Sequence, residues 1–165
     1  MAPLQLRQLP RQFPSRVSNI SMNTTLPILL IEDNPMDVDL TRRAFIRHNL
    51  VNPLEVMRDG QEAIDFLAGW RAGDPVPSVI LLDLKLPKIS GLEVLGAIRA
   101  HPGIGTVPIV VLTSSAEDDD IRKAYLLGAS SYIVKPVDFE KFIDVARQIE
   151  LYWTVLNMHS FSKPG

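Results

Sequence analysis

The chain has 165 residues, 46% of them hydrophobic and 22% charged, with a net charge of −2 at pH 7. That length fits one domain with a tail, and the lack of a basic excess argues against a protein that tracks nucleic-acid phosphates. Cysteine is absent, which excludes disulfides, thiolate metal sites and a cysteine nucleophile and suits a reducing, cytoplasmic setting; no apolar run approaches the roughly 18–20 residues of a membrane span.

Residues 1–26 stand apart. They hold Arg7, Arg11 and Arg16, three prolines (Pro3, Pro10, Pro14) and no acid. All 19 acids therefore lie downstream, against 14 of the 17 bases, and the remainder carries −5. Without an apolar period, and with prolines that forbid a stable helix, this stretch reads as a disordered tail. Met22 lies just before the first folded segment and is a candidate start.

From Pro27 the pattern becomes regular. Ile28–Ile31 is an all-apolar strand ending in Glu32-Asp33, and Asn34-Pro35 opens a helix whose inward side is Leu40, Ala44 and Phe45. Leu54–Met57 is a second strand, stopped by Asp59-Gly60. A helix over Gln61–Arg71 places Ala63, Phe66, Leu67 and Trp70 on one face, and Gly73-Asp74-Pro75 breaks it. Val79–Leu82 is a third strand, ending at Asp83; the helix Gly91–Ala100 turns Val94, Leu95 and Ile98 inward. Ile109–Leu112 ends at Thr113, and a helix over Glu117–Leu127 carries Ile121, Ala124 and Tyr125 inward before Gly128 closes it. Its acidic start, Glu117–Asp120, reads as a solvated helix N-terminus. Ser131–Val134 is a short fifth strand ending at Lys135-Pro136. Asp138 then caps a last helix with the stripe Phe142, Val145, Ala146, Ile149, Tyr152, Trp153, Leu156.

Five strands thus alternate with five helices. Continuous apolar strands and crossover-length connections predict an α/β fold: a parallel sheet with helices on both faces and right-handed crossovers; with the five-strand order 2-1-3-4-5, strands 1 and 3 flank the point where strand order reverses. In such sheets ligands bind outside the carboxyl ends of the strands, where strand order reverses. Glu32-Asp33, Asp83, Thr113 and Lys135 all fall at those ends. A lone acid after an apolar run is usually a helix cap, but three acids, a hydroxyl and a lysine on four strand ends point to a site. Converging carboxylates repel unless a hard cation joins them, and oxygen ligands suit Mg²⁺. Such an ion would bring in a phosphoryl group, one carboxylate would act as nucleophile to form an acyl phosphate, and Lys135 and Thr113 would hold phosphate oxygens.

With the strings ILLIEDNP, VILLDLKLPKISGLEVL, PIVVLTSSA and SYIVKP in this order, the chain from about Pro27 to Ile149 resembles the receiver domain of two-component response regulators. The resemblance implies a flavodoxin-like, doubly wound (βα)5 fold spanning residues 27–150, with 151–165 as a helical extension and tail. It implies Asp83 as phosphoacceptor, Asp33 as a direct Mg²⁺ ligand, Glu32 acting through water, and the main-chain carbonyl of Lys85 as a third protein ligand. Lys135 is the implied phosphate partner, Thr113 and Tyr132 the switch pair, and Pro87 and Gly91 the loop after the acceptor. Lys85 and Ser115 occupy positions that affect acyl-phosphate hydrolysis in that family. His48, His101 and His159 lie away from the strand ends and read as surface or capping residues.

About 15 residues follow the last receiver helix, too few for a DNA-binding output domain, so the expected output is a protein–protein interaction. The stretches DNPMDVDLTRRAF and NPL-V-DGQEAIDFL, with Ile149–Trp153, are similar to single-domain regulators paired with bacterial and cyanobacterial phytochrome kinases. A histidine kinase is then the partner. The stripe from Phe142 and Ile149 onto Tyr152, Trp153 and Leu156 predicts a homodimer through the last helix. Two other readings stay open. A haloacid-dehalogenase-type phosphatase also uses a strand-end Asp and Mg²⁺, but it wants a second Asp where Lys85 stands. A non-phosphorylated pseudo-receiver would have lost one of Asp83, Asp33 or Lys135.

Overall fold

The computed structural model describes residues 26–47, 51–135 and 140. The N-terminal tail and the last helix with its extension, including Phe142, Ile149, Tyr152, Trp153 and Leu156, lie outside the described residues. Within them the order is β1 (Ile28–Ile31), α1 (Pro35–Arg47), β2 (Leu54–Met57), α2 (Gly60–Gly69), β3 (Val79–Leu82), α3 (Gly91–Ala100), β4 (Ile109–Thr113), α4 (Asp118–Leu126) and β5 (Ser131–Val134). The five strands form one parallel sheet in the order β2-β1-β3-β4-β5, as expected.

Strand alternation divides the core into two layers. Leu29, Ile31, Ile80, Leu82, Ile109 and Val111 face one side and pack with Ala63, Leu67, Val94, Leu95, Ile98 and Ala124 from α2, α3 and α4. Ile28, Leu30, Val79, Leu81, Val110 and Leu112 face the other and meet Val38 and Phe45 of α1. Every residue of β1, β3 and β4 is buried. Covered on both faces, these strands have no use for a polar side chain until they leave the sheet.

Local chemistry starts each helix where it is needed. Asn34 accepts the Met36 amide on Oδ1 (2.9 Å), and Pro35 is the first residue of α1. Asp59 accepts the Glu62 amide (2.8 Å) to cap α2. Ser90 and Glu93 form a reciprocal capping box at α3. Gly128, at φ +100°, follows α4 with its amide on the Tyr125 carbonyl.

Two helix faces depart from the pattern read in the sequence. In α1 the buried positions are Val38, Thr41, Ala44 and Phe45, while Leu40 is 45% exposed. Thr41 can take a core position because its hydroxyl donates to the Asp37 carbonyl (2.8 Å), which satisfies its polar atom inside the helix. In α4 only Ala124 is buried and Tyr125 faces solvent. His101 is the C-cap of α3, as a capping role requires, and its ring sits between the Leu67 carbonyl and the Gly103 amide.

Candidate functional site

The register of the sheet assembles the site. Ile31 of β1 lies opposite Leu82 of β3, so the next residues, Glu32 and Asp83, emerge side by side, and the Asp83 amide donates to the Ile31 carbonyl (3.0 Å). On the other flank Thr113 pairs with Val134, and the Lys135 amide donates to the Thr113 carbonyl (2.7 Å). All four predicted strand ends therefore reach one rim.

Carboxylate oxygens of Glu32, Asp33 and Asp83 lie within 4.8 Å of one another. Glu32 and Asp83 are buried, and Asp33 is exposed at the mouth. Two buried acids at this separation need a positive partner. Lys135 supplies it: its ammonium donates to Glu32 Oε2 (2.5 Å), Asp37 Oδ2 (2.8 Å) and Asp83 Oδ2 (3.1 Å). Burial pushes the Glu32 carboxyl up to about 7, against the pull of Lys135 and the Asn34 amide. Burial also opposes the charge on Lys135, but the hydrogen bonds to Asp37 and Glu32 and the charge of Asp83 outweigh it, so the ammonium is held above the ordinary lysine range. The cluster can accommodate a divalent cation, since its donors are all hard oxygens and the charge already present is incompletely balanced.

The acceptor's loop is packed tightly. The Lys85 amide donates to Asp83 Oδ1 (3.0 Å), which fixes the carboxylate, while the Lys85 side chain is exposed. The Gly91 amide donates to the Leu84 carbonyl (2.9 Å), and a Cβ at Gly91 would fall 2.2 Å from the Asp83 carbonyl. Glycine is needed here for close approach of backbones rather than for an unusual turn. Lys88 holds a positive φ of 68° in the same loop and reaches Asp59 at the start of α2 (2.6 Å). That bridge depresses the Asp59 carboxyl below its usual range.

Thr113 is fully buried, and its Oγ1 accepts the Ser115 amide at 3.4 Å. Tyr132 turns toward the same loop, but its hydroxyl donates to the Ser115 carbonyl (2.7 Å). Ser115 is buried and donates to Asp120 Oδ2 (2.6 Å), which ties the end of β4 to the first turn of α4. The acidic start of α4 is thus only partly solvated: Asp120 faces Ser115, and Asp119 pairs with Arg122 and Lys123 on the surface.

Asp37 and Asp120 were not among the site residues read from the sequence. An acid in the first helical turn already has an explanation in the helix dipole, so nothing in the sequence singles them out.

These features define a receiver: a β2-β1-β3-β4-β5 parallel sheet with acids after β1 and β3, a hydroxyl after β4 and a lysine after β5. The model of the response regulator receiver domain matches residues 28–147, and the chain belongs to that family. Among its relatives, a probable methanogenesis regulatory protein, FilR2 of Methanothrix harundinacea, is 42% identical over 127 residues, 76% of this chain and 82% of that protein. The response regulator Rcp1 of Synechocystis is 36% identical over 128 residues, covering 76% and 87%. Its Mn²⁺-bound structure superposes with a TM-score of 0.65 over 78% of this chain and 94% of that one. The bacteriophytochrome response regulator AtBRR is 42% identical, with a TM-score of 0.65, over 77% of this chain and 94% of its own. No helix among the described residues is long and apolar enough to cross a membrane.

Proposed function

We propose that this chain is a response regulator that accepts a phosphoryl group on Asp83 from a histidine kinase, in a Mg²⁺-dependent reaction, and signals through protein–protein contact in the cytoplasm. The observation that carries the reading is the convergence of Glu32, Asp33 and Asp83 within 4.8 Å around the Lys135 ammonium. Asp33 and Asp83 would ligate the ion directly, with the Lys85 carbonyl as a third protein ligand and Glu32 acting through water. A bound Mg²⁺ would neutralise phosphoryl charge and orient the donor. The chain's own residues do the rest. An oxygen of Asp83, aligned by the Lys85 amide, bonds to phosphorus as the phosphorus–nitrogen bond of the donor phosphohistidine breaks and its imidazole leaves. The Lys135 ammonium, at the same rim, donates to the new phosphoryl oxygens. Thr113 offers its hydroxyl to another, and Tyr132, now held by the Ser115 carbonyl, follows the loop as it shifts. The protein promotes its own phosphorylation without being an enzyme in the turnover sense.

The bacteriophytochrome and cyanobacterial regulators among its relatives favour a phytochrome as the kinase. The net charge of −2 favours protein over nucleic acid as the downstream target. We also propose dimerisation through Phe142, Ile149, Tyr152, Trp153 and Leu156, carried by their apolar stripe in the sequence; the exposed apolar residues Tyr125, Leu126, Leu127 and Val134 of the α4–β5 edge offer further surface of the same kind.

Asp83→Asn should abolish acid-stable, base-labile labelling by a kinase or a small acyl-phosphate donor with Mg²⁺; undiminished labelling refutes the assignment. Continuous phosphate release in place of a labelled protein would favour the phosphatase alternative, and no labelling of the unmodified chain the pseudo-receiver. A monomer at tens of micromolar after phosphorylation, by sedimentation and with Trp153→Ala as comparison, would refute the dimer.

A further inference from the structure

Every acid of the cluster has a task in the reading above except Asp37. It is carried by the first turn of α1, an element separate from the strand ends that bear Glu32 and Asp83. Its carboxylate accepts one of the three Lys135 hydrogen bonds, at 2.8 Å. It is also the outermost of the three acceptors, with its side chain 32% exposed against 3% for Glu32 and 7% for Asp83. It lies outside the set of carboxylates close enough to share an ion, which comprises Glu32, Asp33 and Asp83. Its backbone is fixed: its carbonyl accepts the hydroxyl of buried Thr41, and Asn34 secures the turn.

A divalent cation and the Lys135 ammonium want the same lone pairs on Asp83 and Glu32, and they repel each other. Binding the ion therefore means moving the ammonium. An ammonium stripped of ionic partners in a partly buried site would lose several charge-assisted bonds at once. Asp37 lies on the outward side of that movement. Resting on the reading of this cluster as a cation and phosphoryl site, we propose that Asp37 is a positioning residue. It keeps hold of the Lys135 ammonium when a divalent cation takes the carboxylates of Asp33 and Asp83. The lysine then stays over the rim, in reach of an incoming phosphoryl oxygen, instead of blocking the ion or swinging into solvent.

Calorimetric titration of the full chain with Mg²⁺, and with Mn²⁺ as a tighter-binding probe, tests this. Asp37→Asn should weaken affinity roughly threefold to tenfold, the range expected for a partly exposed charged contact. Asp37→Glu should restore most of it. In a Lys135→Gln background, Asp37→Asn should change affinity by less than about twofold, because the ammonium it positions is gone. Asp39→Asn, which removes an exposed acid paired only with Arg43 among the ion pairs of α1, should have no effect. Asp37→Ser gives a second helix-compatible loss of the carboxylate should the Asn variant fold poorly. Unchanged affinity in Asp37→Asn and Asp37→Ser overturns the proposal. So does an equal loss with and without Lys135, which would mark a diffuse field effect. An unmodified chain that binds neither ion overturns the metal reading itself, which is distinct from binding that is merely indifferent to Asp37.

Discussion

Between the central strands and the α4–β5 edge, burial changes abruptly. Ile80, Leu81 and Leu82 of β3 and Ile109, Val110 and Val111 of β4 have no accessible surface. Next to them, α4 buries only Ala124, and no residue of β5 is fully buried. The two regions share a border at Thr113 and Ser115. The difference separates two requirements. Glu32 and Asp83 hang from strands that move only if the whole domain opens, so their spacing is as durable as the fold. Among the described residues the edge buries less of its surface than the centre does, so rearranging it costs less than opening the core.

The contrast breaks most visibly at the centre. Leu81→Ala should destabilise the domain by about 3 kcal/mol, since a fully packed leucine leaves both its transfer energy and a cavity behind. Leu126→Ser, at a site 78% exposed, should stay within about 0.5 kcal/mol. Urea unfolding measures both, and similar losses would contradict the division.

Arg99 is the tie between the regions. Its guanidinium donates to the Gly128 carbonyl after α4 from both Nε and Nη2 (2.9 and 2.7 Å), and from Nη1 to the Gly105 and Val107 carbonyls before β4. Its partial burial lowers its pKa to about 10, still charged at any working pH. Arg99→Ala should cost about 2 kcal/mol by orphaning these carbonyls, and Arg99→Lys should recover little because an ammonium cannot span the fork. Faster amide exchange in α4 than in β3 of the Arg99→Ala variant would sharpen the comparison; equal exchange would weaken it.

The smallest effect concerns pH. The folded protein raises the Glu32 carboxyl from 4.5 to about 7. A proton is then bound more tightly in the folded state. The associated stability is complete below about 4.5, the unfolded value, and lost as pH rises through about 7. In chelator, the melting temperature should therefore fall modestly between about pH 5 and pH 7.5, and Glu32→Gln should flatten that slope. Saturating Mg²⁺ should reverse it, because the ion favours the ionised form. Asp59, Glu93 and Asp119 have lowered values, so their contributions vanish at more acid pH and do not overlap this window.

Most of the scaffold was legible because each level of the sequence agreed with the next. Helix α3 spans the predicted residues 91–100, where Ser90 and Glu93 cap it and Val94, Leu95 and Ile98 form its stripe. The acid pair, Asp83, Thr113 and Lys135 could be placed because polar residues after apolar parallel strands have one rim to occupy. What escaped depended on contacts between distant segments. Asp37 meets Lys135 across 98 residues of chain, and Ser115 engages Asp120 only because the loop after β4 folds back on α4. Leu40 looked like core because a leucine usually is. Val38 and Thr41 occupy that face instead, and burying Thr41 depends on an internal hydrogen bond that hydrophobicity does not reveal. The exposure of Tyr125 follows from a helix with one small buried residue, which its apolar pattern overstated.

The acid rim also shapes the molecule as seen from a distance. Glu32, Asp33, Asp37 and Asp83, less Lys135, carry three formal negative charges, one more than the −2 of the entire chain. From residue 27 onward the chain carries −5, so more than half of that charge is gathered in this cluster, which makes the mouth of the site a local negative pole. Cations approaching from solution are drawn to that pole before any contact forms, and this attraction fades as ionic strength rises. An anionic phosphoryl donor meets the opposite: its path to Asp83 is uphill until a cation has discharged the pole.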